Sequence, residues 1–197
     1  MRTLTVTGHG SASAVPDSAV VRVAAVQRGS SLTEALEGAE SARARVVAVA
    51  AEHSVATRDL AIWPVHDDQG RPAGFEARHA LAVSTTTVEQ AGDLLAALAA
   101  EVGDRLVVEG VDLVVADPTA ALGRAREAAY ADATARAEHL ASLAGAVLDR
   151  VQSIGEGAVP VGPPGGPVLA AAKADVGLQP GESTFTAALT VTWSLAD

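Results

Sequence analysis

Residues 19–34 decide the fold, and they read AVVRVAAVQRGSSLTE. The first half of this stretch is rich in valine, a β-branched residue that favours strands. Its end, Ser31 to Glu34, has the spacing in which a hydroxyl and a carboxylate satisfy the free amides of a helix start. Small and apolar residues then recur at intervals of four and three from Ala35 to Val49, and the pattern fades near His53. The stretch therefore predicts a strand followed by an amphipathic helix.

Strand signals continue toward the N-terminus. Thr3 to Thr7 alternates between polar and apolar residues, Gly8-His9-Gly10 interrupts the alternation, and Ala14 to Gln27 resumes the β-branched pattern. We therefore expect two strands here, separated by a turn at the two glycines.

The middle of the chain predicts a hairpin and a second helix. Asp59 to Val65 and Phe75 to Thr85 are extended runs, and the segment between them, 67–72, contains the Gly and Pro that suit a hairpin loop. The capping spacing recurs at Thr86 to Glu89, so a helix is expected to begin there and to end at Gly103.

The last third of the chain predicts a long helix between strands. Leu106 to Val115 is a strand pattern, and Asp117-Pro118 provides a helix cap followed by a proline at the first helical position. Small residues dominate one side of this helix, which Gly145 ends. Two strand patterns follow, Val147 to Ile154 and Thr184 to Leu195, and residues 157–181 between them carry most of the local Gly and Pro. We expect that segment to be a mobile loop.

These elements predict an α+β protein with one mostly antiparallel sheet and three helices packed on one of its faces. The part from Ala19 to Val115 has the order β-α-β-β-α-β of ferredoxin-like folds. Because composition does not change along the chain and no repeat is present, residues 1–197 are expected to form a single domain.

Composition excludes several classes of protein. The 197 residues carry a net charge of -10 at pH 7, which disfavours nucleic acid as a partner. Cysteine is absent, so thiol chemistry and cysteine zinc sites are excluded. No stretch approaches the roughly 18 uninterrupted apolar residues of a membrane span. Thr3 to Thr7 alternates where a secretion signal would be continuously apolar, so we expect a cytoplasmic protein without a signal peptide.

Candidate polar sites each have a simpler structural interpretation. Gly8-His9-Gly10 follows a strand as a phosphate loop does, but a second strand follows it, and phosphate binding needs a helix N-terminus. His66-Asp67-Asp68 offers metal-ligand types, but only on one solvated hairpin tip. His53, His79 and His139 lack the i, i+4 spacing of a helical zinc pair.

Charged and aromatic residues give no catalytic set either. Glu37 and Glu40, like Glu127 and Asp132, are interpreted as solvated helix faces, because nothing in the sequence separates their pKa values. Trp63 and Trp193 lie in strand patterns and favour a core or subunit-contact role. Surface ion pairs are expected between Arg124, Arg126, Arg136 and Arg150 and the acids Glu127, Asp132, Glu138 and Asp149. No catalytic, cofactor-binding or metal-ligating residue is therefore assigned.

Several short motifs, in order, span nearly the whole chain. They are Val6-Thr7-Gly8-His9-Gly10, Val15-Pro16-Asp17, Ile62-x-Pro64, Gly74-Phe75-x-Ala77, Ala131-Asp132-Ala133, Arg136-Ala137, Leu140-Ala141, Gly145 and Val151-x-x-Ile154. Together they resemble the SIMPL domain family, also called the domain of unknown function 541 or YggE-like family. His66 departs from the pattern, since the family often has an aromatic residue there.

This resemblance implies an α+β fold, a tendency to self-associate and a loose link to bacterial stress defence and the cell envelope. It implies no agreed activity and no catalytic residues, and many members carry a signal peptide. The sequence therefore predicts a non-catalytic domain that acts through homo-oligomeric assembly. The alternative is a small-ligand or metal-binding protein whose pocket is closed by the 157–181 loop.

Overall fold

Strand and helix patterns of the sequence map onto ten main elements in the computed structural model, which describes residues 2–157 and 178–196. Most of the predicted mobile loop at 157–181 lies outside the described residues. The elements are β1 (Thr3–Ala14), β2 (Ser18–Gly29), α1 (Leu32–Val49), β3 (Ser54–His66), β4 (Pro72–Thr85), α2 (Val88–Val102), β5 (Leu106–Val114), α3 (Thr119–Leu143), β6 (Val147–Glu156) and β7 (Ser183–Ala196). Their order confirms the predicted α+β class.

The described residues divide into two compact units. One unit, which we call the ferredoxin-like unit, contains residues 16–116 and 178–180. The other, which we call the terminal unit, contains residues 2–15, 117–157 and 181–196.

The ferredoxin-like unit has a four-stranded antiparallel sheet in the order β3-β4-β2-β5. The predicted β-α-β-β-α-β arrangement is thus confirmed. Alternate residues of the central strands β2 and β4, among them Val21, Val23 and Leu81, are buried against Val46 of α1 and Leu98 of α2. One face of this sheet therefore carries both helices.

Side-chain caps fix where these two helices begin. Ser31 Oγ accepts a hydrogen bond from the Glu34 N–H at 3.2 Å, and the Glu34 carboxylate accepts one from the Ser30 N–H at 2.8 Å. This reciprocal pair is the predicted capping box. In α2 the cap lies one residue later than predicted, because Thr87 caps Gln90 and the Gln90 side chain accepts from the Thr86 N–H.

The terminal unit has a three-stranded antiparallel sheet in the order β1-β7-β6, with α3 packed against it. Its buried cluster combines Val191 and Trp193 of β7 with the alanines of α3. The strands thus belong to two sheets, where the sequence predicted one. Neighbouring elements in sequence favour pairing, but β1 pairs along its whole length with the last strand, β7, and not with β2.

Candidate functional site

Gly8 and Gly10 lie inside β1, so the predicted turn at Gly8-His9-Gly10 is wrong and the strand continues to Ala14. Both glycines face α3 at very short range. A Cβ atom built on Gly8 would lie 2.2 Å from the Ala129 carbonyl oxygen, and one built on Gly10 would lie 2.2 Å from that of Ala125. These glycines therefore let a helix backbone rest on a strand backbone, and no phosphate-binding loop is formed.

The alanines of α3 complete this contact. Ala121, Ala125, Ala129, Ala133, Ala137 and Ala141 recur every four residues along the helix, and all are buried. Small side chains at this spacing form one stripe and let α3 approach β1 as closely as the glycines allow. The sequence predicts a stripe of Leu122, Ala125, Ala129, Ala133, Ala137, Leu140 and Ala144. The four central alanines are confirmed, but Ala121 and Ala141 take the place of its ends, and Leu140 and Ala144 are exposed.

Polar side chains of α3 occupy the open edge of β1. Asp132 Oδ2 accepts a hydrogen bond from the His9 backbone N–H at 2.8 Å. Arg136 donates to the Thr7 carbonyl oxygen at 3.3 Å, and Arg124 donates to the Ser13 carbonyl oxygen at 2.8 Å. Three backbone groups that could pair with another strand are thereby bound, so side chains of α3 occupy part of this edge of the sheet.

The opposite edge of this sheet is β6, which is largely exposed to solvent. Nine of its ten residues are exposed. Its pairing with β7 is irregular: Leu148, Val151 and Ile154 lie opposite Leu195, Trp193 and Val191. Because those β7 partners alternate along a regular strand, the three β6 residues point to the same face of the sheet. The Val151-x-x-Ile154 motif thus becomes a stripe on one face, with Ile154 57% exposed.

A buried serine supports the irregular part of β6. The Ser194 side chain of β7 is 2% exposed. Its hydroxyl accepts a hydrogen bond from the Arg150 N–H at 3.1 Å and lies within hydrogen-bond distance of the Asp149 carboxylate, 3.0 Å, and the Arg150 carbonyl, 3.2 Å. These contacts satisfy backbone groups that leave the regular ladder. No sequence signal distinguished Ser194 from the other serines.

The flank of α3 that faces β6 is also apolar. Arg126 Nε lies 2.8 Å from Glu156 Oε1, which identifies this flank. Tyr130 and Leu140 follow Arg126 by four and fourteen residues, close to whole numbers of helical turns, so they share it. Both side chains are partly exposed, and Leu143 at the helix end is 73% exposed. We call Tyr130, Leu140, Leu148, Val151 and Ile154 the α3–β6 surface.

The predicted ion pairs near α3 are confirmed in part. Arg136 pairs with Asp132 at 3.0 Å. Arg126 pairs with Glu156, which was not among the predicted acids, and Arg124 binds a carbonyl instead. Sequence spacing along one helix identifies i, i+4 pairs but not partners on other elements.

The predicted hairpin tip is held by its own carboxylate. Asp67 accepts hydrogen bonds from the backbone N–H groups of Gln69 and Arg71 and from the Arg71 guanidinium. The bonds from Arg71, backbone first and side chain second, hold the pKa of the Asp67 carboxyl below its usual value. In the described part of the chain, no three His, Cys, Asp or Glu side chains are placed to hold a metal ion.

The candidate histidines do not lie together, but the His79 ring lies near two polar side chains. His79 Nε2 lies 3.3 Å from Thr57 Oγ1, and its Nδ1 lies 3.7 Å from Glu40 Oε2. The order hydroxyl, imidazole, carboxylate matches an activated nucleophile, but 3.7 Å is too long for the hydrogen bond that orients the imidazole. Arg43 instead binds Glu40 and lowers the pKa of its carboxyl.

The two tryptophans have different roles. Trp193 is 3% exposed in the core of the terminal unit, which confirms the core interpretation, whereas Trp63 is 38% exposed on β3. The sequence did not predict a charge network in the ferredoxin-like unit, in which Glu109 accepts from both Arg58 and Arg78. Arg58 lies at a register shift of β3, and such shifts cannot be read from residue types.

Other predicted candidates have local structural roles. Asp17 accepts a hydrogen bond from the Ala116 N–H at 2.8 Å. Glu37, Glu40 and Glu127 are exposed, as expected for helix faces.

A surface cavity of about 580 Å³ lies against β1 and is lined by His9, Gly10, Ser11, Ala128, Thr186 and Ala187. The alternative of a pocket under residues 157–181 stays a prediction, because most of that segment is not described.

Comparison with known proteins shows the family. Residues 4–193 match the family model SIMPL, described as "Protein of unknown function (DUF541)". The chain therefore belongs to the SIMPL family, which confirms the resemblance carried by its motifs. Among the described residues, no helix has the length and apolar character needed to span a membrane.

Curated relatives correct the predicted location. The chain is 28% identical over 172 residues to the 26 kDa periplasmic immunogenic protein of Brucella melitensis biotype 1, and equally to that of Brucella abortus strain S19. The match covers 78% of this chain and 66% of each relative. Because both relatives are named as periplasmic, the cytoplasmic prediction is wrong. Thr3 to Thr7, which supported it, is part of β1, and a folded strand carries no information about location.

Proposed function

We propose that this protein is a non-catalytic domain that works by assembling with further copies of itself. One observation carries the proposal: side chains of α3 occupy part of the β1 edge of the terminal unit's sheet, whereas no strand among the described residues pairs with the outer edge of β6. Asp132, Arg136 and Arg124 bind three backbone groups of β1, whereas β6 is exposed along nearly all of its length. An open strand edge is a site where a second chain can pair.

The side chains beside that edge support the same conclusion. The α3–β6 surface contains Val151 and Ile154, which are partly or largely exposed, and Leu143 lies near its end. Clustered exposed apolar residues are typical of protein interfaces. Burying them against another copy would remove them from water.

The use of the polar groups favours a structural role. Asp132 and Asp67 accept hydrogen bonds from backbone N–H groups, and Glu40 is bound by Arg43. Catalytic acids and bases need pKa values near the working pH, but the resolved shifts at Asp67 and Glu40 lower the pKa further below neutrality. The net charge of -10 disfavours nucleic acid as a partner.

Location and process extend the proposal. The curated relatives are named as periplasmic, and we assign this chain to an exported location on that basis. The link to bacterial stress defence implied by family resemblance belongs to the same proposal. Its test is survival of a strain lacking the gene under oxidative and heat stress, and survival equal to the parent would contradict the link.

Light scattering on the purified chain, from nanomolar to micromolar concentration, tests assembly. We expect a mass of several copies. Ile154→Lys, which places a charge on the α3–β6 surface, is expected to lower the mass toward one copy. Leu60→Lys is the matched control, since Leu60 is also an exposed apolar residue on an edge strand, β3. A monomer at every concentration would contradict the proposal.

A separate assay tests the non-catalytic part. The hydroxyl and imidazole of Thr57 and His79 are a close nucleophile–base pair of the described residues, at 3.3 Å. We expect no hydrolysis of ester, phosphate or peptide substrates beyond that of a Thr57→Val variant. A hydrolytic activity that co-purifies with the chain and is lost on this substitution would overturn the proposal.

A further inference from the structure

We infer that two copies of the chain pair through their β6 strands, antiparallel, about a two-fold axis that passes beside Val151. This inference rests on the proposed function and identifies the partner of the α3–β6 surface as the same surface of a second copy. A two-fold interface requires a surface that is complementary to itself. The sequence of β6 meets this requirement.

The apolar stripe of β6 is symmetric about its middle residue. Leu148, Val151 and Ile154 are equally spaced and lie on one face of the sheet. A two-fold axis at Val151 places that residue opposite its own copy, and Leu148 opposite the partner's Ile154. Every apolar residue of the stripe thus faces another apolar residue, and cross-strand pairs of this kind stabilise antiparallel sheets.

The positions of the charged residues of β6 are compatible with the register set by an axis beside Val151. Asp149 falls opposite the partner's Ser153, and Arg150 falls opposite the partner's Gln152. No two like charges stand directly opposite each other, so this alignment avoids the repulsion that destabilises strand pairs. An axis beside Arg150 would instead bring the two Arg150 side chains together.

The irregular pairing of β6 is compatible with this contact. Irregularities often protect edges by bending them away from other strands. Here the Ser194 hydroxyl accepts a hydrogen bond from the Arg150 N–H inside the unit, and its own proton lies within reach of the Asp149 carboxylate and the Arg150 carbonyl. The irregularity is therefore satisfied within the chain, and it is also what brings Leu148 and Val151 onto the same face.

A cysteine cross-link tests the axis, and the chain has no cysteine of its own to interfere. In a Val151→Cys variant the two thiols meet across the axis. Directly opposed residues of antiparallel strands lie about 4.5–5.5 Å apart between Cα atoms, within the range of about 4.4–6.8 Å that a disulfide spans. Mild oxidation is expected to give a disulfide-linked dimer on a non-reducing gel. Leu60→Cys, also on an exposed edge strand, is the control, and it should cross-link at least about tenfold more slowly.

A mixing experiment tests the register independently. Leu148→Cys and Ile154→Cys variants are each expected to cross-link poorly alone, because the two equivalent thiols lie far from the axis. Mixed, they are expected to give a dimer that contains one of each. Melting curves of all variants check that they fold.

Failure of this inference is distinct from failure of the proposed function. A protein that contains several copies by light scattering, but in which Val151→Cys cross-links no faster than Leu60→Cys, would overturn the β6 pairing alone. A mixture that cross-links no better than its separate components would do the same. A protein that is monomeric by light scattering would overturn both.

Discussion

Replacing Gly8 with alanine is expected to destabilise the terminal unit strongly. The new methyl carbon would lie 2.2 Å from the Ala129 carbonyl oxygen and 2.4 Å from the Ala133 nitrogen, about an ångström inside ordinary contact, which begins near 3.4 Å. Both atoms belong to the helix backbone, so no side chain can rotate away. Overpacking costs about 1–3 kcal/mol, and contact with backbone places this case near about 3 kcal/mol. For a chain of this length that loss lowers Tm by about 6–12 °C.

Thermal unfolding followed by circular dichroism measures this loss. Gly123→Ala is the control, because Gly123 lies in α3, the helix that Gly8 contacts, and an added Cβ there meets no atom within 4 Å. Alanine is about 1 kcal/mol better than glycine inside a helix, so the control should melt at the same temperature or higher. A Gly8→Ala protein that melts within a degree of the parent would refute the close contact between β1 and α3.

The remaining predictions concern other parts of the chain. Ser194→Ala should cost about 1–3 kcal/mol in urea unfolding, because it leaves buried polar groups unpaired, whereas exposed Ser153→Ala should change stability by under about 0.5 kcal/mol. Ala133→Leu should cost about 1–3 kcal/mol by overpacking, and Ala135→Leu, on the exposed side of α3, should not. Asp67→Asn should destabilise the hairpin at neutral pH only. Because the folded pKa of Asp67 is lowered, its contribution is present above the ordinary value of 3.8 and is lost as the pH falls through the folded pKa, so the melting temperatures of variant and parent should converge in acid.

Local signals in the sequence predicted most of the fold. Capping residues such as Ser31 and Thr87 determine helix starts through bonds to residues three positions away, and this spacing is visible in the sequence. Asp117 accepts a hydrogen bond from the Thr119 N–H, but Pro118 is the N-cap of α3, so the prediction that Pro118 is the first helical residue is wrong by one position. The Gly and Pro of residues 67–72 likewise marked the hairpin. The predicted strand near Asp59 begins earlier, at Ser54, because partners on β4 continue the ladder.

Contacts between residues far apart in the sequence account for the parts of the structure that the sequence did not predict. The pairing of β1 with β7 joins the two ends of the described chain, and no local pattern indicates it. Gly8 and Gly10 were interpreted as a turn because glycine is common there, but at these positions glycine is needed for space and not for a special backbone angle. Ser194 gave no signal, since its role depends on an irregularity in another strand.

The candidate surface was predicted less well than the fold. The resemblance drew attention to Asp132, Arg136 and Val151-x-x-Ile154 without explaining them. The structure assigns the first two to the edge of β1 and the last to the open edge of β6. Which edge the side chains of α3 reach depends on the direction in which they point, and composition and periodicity do not report it.

The repeat of alanine along α3 affects how firmly the axial position of the helix on β1 is determined. A contact made of methyl groups every four residues looks nearly the same after the helix slides by one turn, about 5.4 Å. Packing alone would therefore accept more than one axial position. Asp132 and Arg136 bind backbone groups of His9 and Thr7, and Arg124 binds the carbonyl of Ser13. A slide by one turn would break all three of these bonds. The alanine stripe supplies close packing, and these three polar bonds hold α3 at the axial position observed in the structure.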